Sequence, residues 1–522
     1  MNNFRFAPLL CLLIASTVGS AQDSITITKR TFDASSGEKF ETETWNTNSL
    51  AVIVCDMWDL HHCFNAVGRV NELSPRMDKM LRKLRDNGAT IIHSPSSCVG
   101  FYKEHPARKN VALIPKSTSI PDGIGNWCDN IPSEKDYPLD QSDGGEDDDL
   151  SEHQAWAKKL ASMGRNPRAP WKRQVESVYI ADNDFISDRG EEVWSILDHK
   201  KIDNVMLVGV HTNMCVLGRP FGLRQLSKNG KNVVLVRDLT DTMYNPGRWP
   251  FVDHFQGNRL IHRHIEKYVC PTITSDQILR GTPLRFKNDK PKKCLIIAAE
   301  SLYKTDETLP IFAKTVLWER LGIESKVLSA VAGQHAIERL EEEISSADLL
   351  LLSVRRRSLP QSQLAAIKKH LSDGKPLIAI RTSSHAFDTK GKHPDGHAEW
   401  EAFDKEVLGC NYIGHYANDL ECSLTPTSDH PILTNVNLKV SMGSLYRSKP
   451  LAESANQILT GKVEGHAPEP VAWTNQFGNS NVFYTSLGHP SDFKKPNFNL
   501  LLENAVRWTM KMKIGAEPSR KK

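Results

Sequence analysis

The stretch VMLVGVHTNMCVLGRPFGLRQLSKNG, residues 205–230, reads as a strand, a tight turn and a helix. Its apolar start predicts a buried strand, and Asn229-Gly230 is a usual helix stop. This pattern places Cys215 in the first helical turn, where exposed N–H groups and the helix dipole favour thiolate over thiol. Cys215 is therefore the candidate nucleophile, and the alternative is an inert core cysteine.

The same grammar extends outward from this segment. The run LAVIVCDMWDL, residues 50–60, predicts a buried parallel strand that delivers Asp56 at its carboxyl end. A helical pattern over residues 75–88 and the strand after it complete a βαβ unit, and the unit recurs over residues 191–238. We predict an α/β domain with a doubly wound parallel sheet over residues 46–280.

A second α/β series follows a linker of turn formers and lysines at residues 281–291. The strand patterns CLIIAAE, ADLLLLSV and KPLIAI alternate with helical patterns. They predict a second doubly wound parallel-sheet domain over residues 292–512. Residues 513–522 are predicted to be a frayed tail.

The N-terminus has the pattern of a signal peptide over residues 1–21. Arg5 precedes an apolar run over residues 6–18, and small residues end at Ala21. The run is too short for a comfortable membrane span of about 20 residues. We expect a secreted or periplasmic protein that begins near Gln22 and has no membrane contact after cleavage.

Charge and cysteine content narrow the partners and the redox state. The formal charge of +4, from 66 basic and 62 acidic residues, gives no case for a nucleic-acid partner. Loss of Cys11 with the signal peptide leaves nine cysteines, an odd number. Cys98 and Cys128 are candidates for a disulfide, whereas Cys55 and Cys294 fall in strand patterns and are expected to be core thiols.

Residues 117–169 form a polar insertion in the first domain, with the acidic run EDDD at residues 146–149. A solvated loop is the ordinary interpretation of such a segment. A lid over the active site and a cation-binding loop are the alternatives, because long loops are often functional.

The run GVHTNMCV closely resembles the G-x-x-T-x-x-C-V signature of the isochorismatase-like hydrolases, which include nicotinamidases and related amidases. Asp56 matches the acid at the end of that family's first strand. The resemblance implies a lysine as third member, which maps to Lys172, with Lys103 as the other candidate. It thus implies a catalytic Cys215, Asp56 and Lys172, in which Asp56 moves the proton and Lys172 supports the ionised thiol.

The resemblance also implies a cis peptide bond at Val210-His211 and an oxyanion hole made by the amides of His211 and Cys215. Trp58, His62 and His211 are candidate substrate-binding residues. Packing alone is the alternative role for Trp58 and His211.

No metal or other cofactor is predicted, since the Asp-x-His pair of the nicotinamidase subgroup is missing from the segment containing His93 and His105. His61, His62 and the acidic insertion stay open as metal ligands.

The later part of the chain, with phrases such as SMGSLYRSKPL and NVFYTSLGHPSDF, resembles the trehalose-utilisation (ThuA)-like domains, relatives of class I glutamine amidotransferases. The turn after KPLIAI holds Ser383, Ser384 and His385 and lacks the cysteine of an amidotransferase, so glutaminase activity is not expected. Four side chains are candidates for the lining of a cleft for a polar small molecule: Arg381, His385, His415 and His489.

These features predict an exported cysteine hydrolase that cleaves a small amide or related C–N bond. The partner implied is a small-molecule substrate, and self-association into a homo-oligomer stays open. The first alternative is a catalytically degenerate exported protein that binds a small molecule or carbohydrate. The second is an isochorismate-type vinyl ether hydrolase, which would not require the thiol.

Overall fold

A computed structural model describes residues 23–33, 37–330, 333–391 and 393–515. The predicted signal peptide lies outside these residues. The strands of the first domain are β1 (Ser24–Asp33), β2 (Gly37–Asn46), β3 (Leu50–Cys55), β4 (Thr90–Ser94), β5 (Phe185–Ile186), β6 (Asn204–Val210), β7 (Asn232–Asp241) and β8 (Thr272–Ile273). Its helices are α1 (Phe64–Asp86), α2 (Pro106–Ala112), α3 (Leu150–Ser162), α4 (Gly190–His199), α5 (Leu223–Lys228), α6 (His254–Tyr268) and α7 (Asp276–Leu279).

Within the described residues, the first sheet has the strand order β2-β1-β8-β7-β6-β3-β4-β5. The strands from β8 to β5 are parallel. All six residues of β3 and six of the seven in β6 are buried, as expected for strands covered on both faces by helices. The carboxyl ends of β3 and β6 therefore lie side by side, which brings Asp56 and Cys215 to one edge of the sheet.

Two elements of the first domain extend beyond their sequence predictions. The hairpin β1–β2 pairs antiparallel with β8 and adds residues 24–46 to a sheet that was predicted to begin at residue 46. Mostly polar, partly exposed strands gave little apolar signal there. Helix α1 begins at Phe64 and continues through Pro75, whereas the pattern placed its start at the proline.

The second domain also has a sheet with parallel strands, and a longer series of antiparallel strands extends it on one side. Its strands are β9 (Lys293–Ala299), β10 (Glu324–Ser329), β11 (Leu349–Val354), β12 (Leu359–Pro360), β13 (Leu377–Ile380), β14 (His397–Ala398), β15 (Gly414–His415), β16 (Leu420–Pro426), β17 (Val440–Gly443), β18 (Tyr446–Arg447), β19 (Asn456–Lys462), β20 (Glu469–Phe477) and β21 (Ser480–Thr485). Its helices are α8 (Thr305–Phe312), α9 (Leu340–Ser346), α10 (Gln361–Ser372) and α11 (Pro496–Thr509).

The main sheet of this domain has the order β10-β9-β11-β13-β21-β20-β19-β16-β17 over the described residues. Strands β10 to β21 are parallel, and the strands beyond β21 are antiparallel. The predicted α/β class with parallel sheets in two domains is thus confirmed, with antiparallel strands added at the edge of each sheet.

The connections between the domains are more ordered than the sequence suggested. Phe286 of the predicted linker is buried in the first domain's core, and Asp289 pairs with Arg259 of α6 at 2.9 Å. Arg507 of α11 donates from Nη1 to the carbonyl oxygen of Pro250 at 2.9 Å. Lys513 donates from Nζ to the carbonyl of Gly247, so the start of the predicted tail contacts the first domain.

The cysteines of the described residues are all buried and unpaired, so Cys98 and Cys128 do not form the disulfide suggested by their loop-rich surroundings. Cys128 instead lies with its sulfur 3.4 Å from the carbonyl oxygen of Asn130. Within the described residues, no helix is both long enough and apolar enough to cross a bilayer.

Candidate active site

Asp56 lies directly after β3 with its side chain fully buried. Its φ of 46° is in the left-handed region, an uncommon conformation that native structures tend to retain at functional sites. The amide of Ser96 donates to Oδ1 at 2.7 Å, and Nε of Arg219 donates to Oδ2 at 3.1 Å. Both carboxylate oxygens are therefore held by donors, and the carboxylate has a fixed orientation.

Cys215 lies in a single π-helical turn, Thr212–Val216, that follows β6. Gly209 allows β6 to approach β3 closely, because a Cβ at this position would lie 2.0 Å from the carbonyl oxygen of Cys55. The thiol is 9% exposed and forms a hydrogen bond with the Asp56 carboxylate. The Val210-His211 peptide bond is cis, as the resemblance implied.

The helix predicted from Cys215 to Lys228 is interrupted after Gly218, and α5 begins only at Leu223. Pro220 lacks the N–H group that would continue the helix. The chain bends here, with the amide of Arg219 donating to the Cys215 carbonyl at 3.0 Å. Arg219 thus lies one turn after Cys215, and its guanidinium pairs with Asp56 and lies 5.5 Å from the ring centroid of Trp127.

Burial and the charge of Arg219 act in opposite directions on the pKa values of Cys215 and Asp56. Burial raises the pKa of Cys215, and the neighbouring Asp56 carboxylate raises it further. Burial also raises the pKa of Asp56, while Arg219 opposes that shift. The thiol of Cys215 is therefore neutral in the resting site, whereas the sequence argument from the helix dipole favoured a thiolate.

The structure does not bring Lys172 to this pair. Its side chain is exposed, and its backbone amide donates to Oδ1 of Asp59 at 3.0 Å. Lys103 is exposed as well. The cation beside Asp56 is instead Arg219, and the sequence signal for it was an arginine one helical turn after the cysteine.

The amides expected to form the oxyanion hole lie around the sulfur. The backbone of His211 forms a hydrogen bond with the Cys215 thiol and partly offsets the rise in its pKa that burial causes. The amide of Cys215 belongs to the same turn. Amides fixed in this way suit the charge that develops on a carbonyl oxygen under attack.

Aromatic and imidazole rings pack against one another in the region of Cys215. Trp58 stacks on Trp171 with ring centroids 4.6 Å apart, and its Nε1 donates to the carbonyl of Ser96 at 3.1 Å. His211 lies edge-on to His61 at 5.0 Å, and neither of its ring nitrogens has a hydrogen-bond partner among the described residues. Burial lowers the pKa of His211 to about 4, so its imidazole is neutral at neutral pH.

His62 takes a different position, because its Nε2 lies 3.0 Å from Oε1 of Glu146 in the acidic insertion. The other histidines considered as ligands are structural. His93 contacts Gln174 and Asp184 through its two ring nitrogens, and His105 caps α2.

Cys63, Asp147 and Asp148 bring potential metal ligands within 4.8 Å of one another. Both carboxylates already accept hydrogen bonds. Asp148 accepts from the amides of Phe64 and Asn65 at the start of α1, and Asp147 accepts a bidentate pair from Arg69. The permanent positive charge of Arg69 already compensates Asp147 and disfavours a divalent cation at the same carboxylate.

The insertion packs over the candidate site and does not extend into solvent as a free loop. Tyr137 donates from its hydroxyl to the carbonyl of Asn213, in the π-helical turn that contains Cys215, at 2.8 Å. Trp156 of α3 donates from Nε1 to the carbonyl of His61 at 2.8 Å. Trp127 lies against Gly218, where a Cβ would come within 2.5 Å of its ring. These contacts support the interpretation of the insertion as a cover on the candidate site and not as a solvated loop.

A buried cluster of charged groups lies next to His211. Asp241 accepts from Arg69 Nε at 2.7 Å and lies 2.9 Å from Nε2 of His254, while Nδ1 of His254 lies 3.2 Å from Asp147. Burial lowers the pKa of His254, but Asp241 and Asp147 outweigh it and raise this pKa to about 9. His254 is therefore expected to carry its proton at neutral pH.

This shift predicts a pH-dependent stability. Because the folded pKa of about 9 exceeds the ordinary 6.5, the His254 contribution is fully present below pH 6.5 and lost as pH rises through 9. We expect the free energy of unfolding in urea to fall by up to about 3 kcal/mol across that window. His254→Gln should lose most of this fall, and His199→Gln, at an exposed position, should keep it. An unchanged profile in His254→Gln would contradict the assignment.

In the second domain, the predicted cleft residues His385, His415 and His489 line one cavity of about 530 Å³. Arg381, the fourth residue predicted to line a cleft, does not line this cavity: it is 1% exposed, and its guanidinium stacks on Tyr303 at 3.8 Å from the ring centroid. Ser383 is used structurally, since its hydroxyl donates to the carbonyl of Leu352 and accepts from the amide of Val354. Ser384 contacts Nδ1 of His385 at 3.1 Å.

Comparisons with solved structures return both folds at low similarity. A ThuA-like protein from Bacteroides uniformis is 16% identical, with a TM-score of 0.34 over 44% of this chain and 95% of its own. An isochorismatase family protein from Burkholderia thailandensis is 13% identical, with a TM-score of 0.25 over 44% and 94%. N-carbamoylsarcosine amidase from Thermoplasma acidophilum is 14% identical, with a TM-score of 0.22 over 38% and 87%.

No curated protein matches the chain. The family model described as "ThuA: Trehalose utilisation" matches residues 296–509, which bears out the resemblance found for the second domain.

Proposed function

We propose that the first domain is a cysteine hydrolase that cleaves a small amide or a related C–N bond. The observation that carries this proposal is the buried thiol of Cys215 beside the Asp56 carboxylate, whose other oxygen is paired with Arg219 at 3.1 Å. A nucleophile, a base and a group that orients the base are the parts that covalent catalysis requires.

The first half of the reaction forms a thioester. Asp56 takes the proton of the Cys215 thiol as the sulfur attacks the carbonyl carbon, and the amides of His211 and Cys215 donate to the oxyanion. Asp56 then gives the proton to the leaving amine as the C–N bond breaks. The leaving group departs as a neutral amine, and the acyl group stays on sulfur.

The second half returns the site to its resting state. Asp56 takes a proton from water, whose oxygen attacks the thioester carbonyl, and the sulfur leaves and recovers that proton from Asp56. Arg219 keeps its charge throughout, because a guanidinium does not deprotonate in proteins. Its role in this scheme is to orient Asp56 and to hold its pKa down, while the proton moves between Asp56, sulfur, nitrogen and water.

Substrate selection is assigned to the aromatic and imidazole rings in the region of Cys215. Trp58 belongs to the same buried cluster as Cys215, and the buried ring nitrogens of His211 have no hydrogen-bond partner among the described residues. A buried polar group without a partner is costly, so a substrate atom that pairs with this imidazole would gain affinity. His62 is assigned to substrate binding as well, with its orientation fixed by the contact of its Nε2 with Glu146.

Export is part of the proposal, supported by the Arg5, apolar and small-residue pattern of the first 21 residues. The partner is the small-molecule substrate, with no role assigned to nucleic acid or to a membrane after cleavage.

An acyl-enzyme screen tests the proposed activity. The full chain is incubated with a panel of small primary amides, quenched in acid and measured by intact mass. We expect an adduct equal to the acyl group, located on Cys215 by peptide mapping and absent from Cys215→Ala. Hydrolysis of a vinyl ether by Cys215→Ser without any adduct would favour the isochorismate-type alternative.

A further inference from the structure

The loop between β7 and α6, residues 242–253, is bonded to the turn that contains Cys215. Asn213 of that turn donates from Nδ2 to the carbonyl oxygen of Met243 at 2.7 Å. Its Oδ1 accepts from the Met243 amide at 2.9 Å. Because both bonds of this side chain go to one residue, the start of the loop has a fixed position beside the turn.

The same loop also bonds to the insertion that covers the candidate site. The amide of Asp140 donates to the carbonyl oxygen of Trp249 at 2.9 Å. One carboxylate oxygen of Asp143 accepts from Asn245 Nδ2 at 2.8 Å and from Arg248 Nε at 3.0 Å. The loop thus holds the cover and the turn in a fixed arrangement.

The far end of the loop is bonded to a buried arginine of the second domain. Arg507 of α11 is 6% exposed, and its Nη1 donates to the carbonyl oxygen of Pro250 at 2.9 Å. The same nitrogen lies 3.4 Å from the carbonyl oxygen of Phe251. Nε and Nη2 both donate to Oε1 of Glu503, one turn earlier in α11, which fixes the guanidinium. A hydrogen bond from a charged donor is roughly twice as strong as a neutral one.

Residues after α11 add to this attachment. Nζ of Lys513 donates to the carbonyl oxygen of Gly247 at 3.1 Å and lies 4.5 Å from the ring centroid of Phe251. Met512 packs against the core of each domain. The second domain therefore contacts the loop on both sides of residues 248 and 249, which bond to the insertion.

We propose that Arg507 is a positioning residue for the reaction at Cys215. It fixes the loop at Pro250 and, through Trp249 and Met243, keeps the cover and the turn in place. The second domain thus supports the site of the first domain without supplying a group that touches the substrate. Only the expected effect on the rate rests on the proposed function, because the coupling can be measured without a substrate.

Hydrogen–deuterium exchange on the full chain tests the coupling, measured by mass spectrometry in peptides that contain Asp140 and Met243. Arg507→Met removes the charged donor, and we expect both amides to exchange at least about tenfold faster. Arg320→Met is the matched control, because Arg320 pairs with the same Glu503 at 2.7 Å and has no bond to the loop within the described residues. It should keep the parental exchange rate at both amides.

Alkylation of Cys215 measures the same coupling at the proposed nucleophile. The thiol is 9% exposed, so a looser cover should speed its reaction with iodoacetamide severalfold in Arg507→Met. On the substrate found by the acyl-enzyme screen, kcat/KM should fall about tenfold in this variant. The pH profile should stay parental, since Asp56 keeps its contact with Arg219.

Lys513→Met covers the event that Arg507→Met fails to fold, because Lys513 is exposed. It should speed exchange at the same two amides by a smaller factor. Parental exchange at Asp140 and Met243 in folded Arg507→Met, or in Lys513→Met where the first variant is unfolded, would overturn the positioning role. An acyl-enzyme screen without any adduct would count against the proposed activity and leave this coupling unaffected.

Discussion

Replacing Cys215 with alanine is expected to lower kcat/KM for amide hydrolysis by about 10³-fold or more, and Asp56→Asn should do the same. The alanine removes the atom that attacks the carbonyl carbon. The asparagine keeps the shape of Asp56 and its contact with Ser96, but it cannot accept the thiol proton. The measurement is steady-state kinetics on the substrate found by the acyl-enzyme screen.

The double variant separates a catalytic unit from two independent contributions. Because the two side chains act on one proton, Cys215→Ala/Asp56→Asn should be no slower than the worse single variant. Circular dichroism and thermal unfolding establish that each variant is folded. A loss below tenfold in either folded single variant would rule out the proposed chemistry.

Arg219→Met is expected to lower kcat/KM about 100-fold at neutral pH and to move the acidic limb of the pH profile upward. Burial raises the pKa of Asp56, and Arg219 is the largest influence that opposes this rise. Without the cation, more of the Asp56 population is protonated at neutral pH and unable to act as a base. Arg219→Lys retains the charge and should recover most of the activity.

Lys172→Met is the matched control, because the resemblance gave Lys172 this role while the structure leaves its side chain exposed. We expect it to keep both the parental rate and the parental pH profile. The opposite ranking, with Lys172→Met slow and Arg219→Met unaffected, would return the third position to Lys172.

The sequence predicted the parts of the site that depend on strand ends. Asp56 follows an apolar run and Cys215 follows another, and adjacent parallel strands bring such positions together. Arg219 lies one helical turn after Cys215, but it was missed because its pairing with Asp56 joins two segments that are distant in sequence. The protonation of the thiol was also missed, since it follows from burial and from a neighbouring charge distant in sequence.

The second domain shows the same division. His385, His415 and His489 were singled out one by one, and the structure places all three around one cavity. His385 and His489 follow β13 and β21, which are adjacent and parallel, whereas His415 lies on β15, which pairs antiparallel with β18. The apolar pattern did not reveal β15 and β18, because each has only two residues. The burial of Arg381 beneath Tyr303 depends on tertiary packing, which no local pattern specifies.

The cover formed by the insertion separates two properties of the first domain that could otherwise constrain each other. The reacting groups come from the ends of β3 and β6, whereas Trp127, Tyr137 and Trp156 come from a segment that contributes no strand to the sheet. Mutations in that segment can therefore reshape the cover while the strands that carry Asp56 and Cys215 stay unchanged. In evolution, such a scaffold can acquire new substrates by drift in the cover and keep one chemical mechanism.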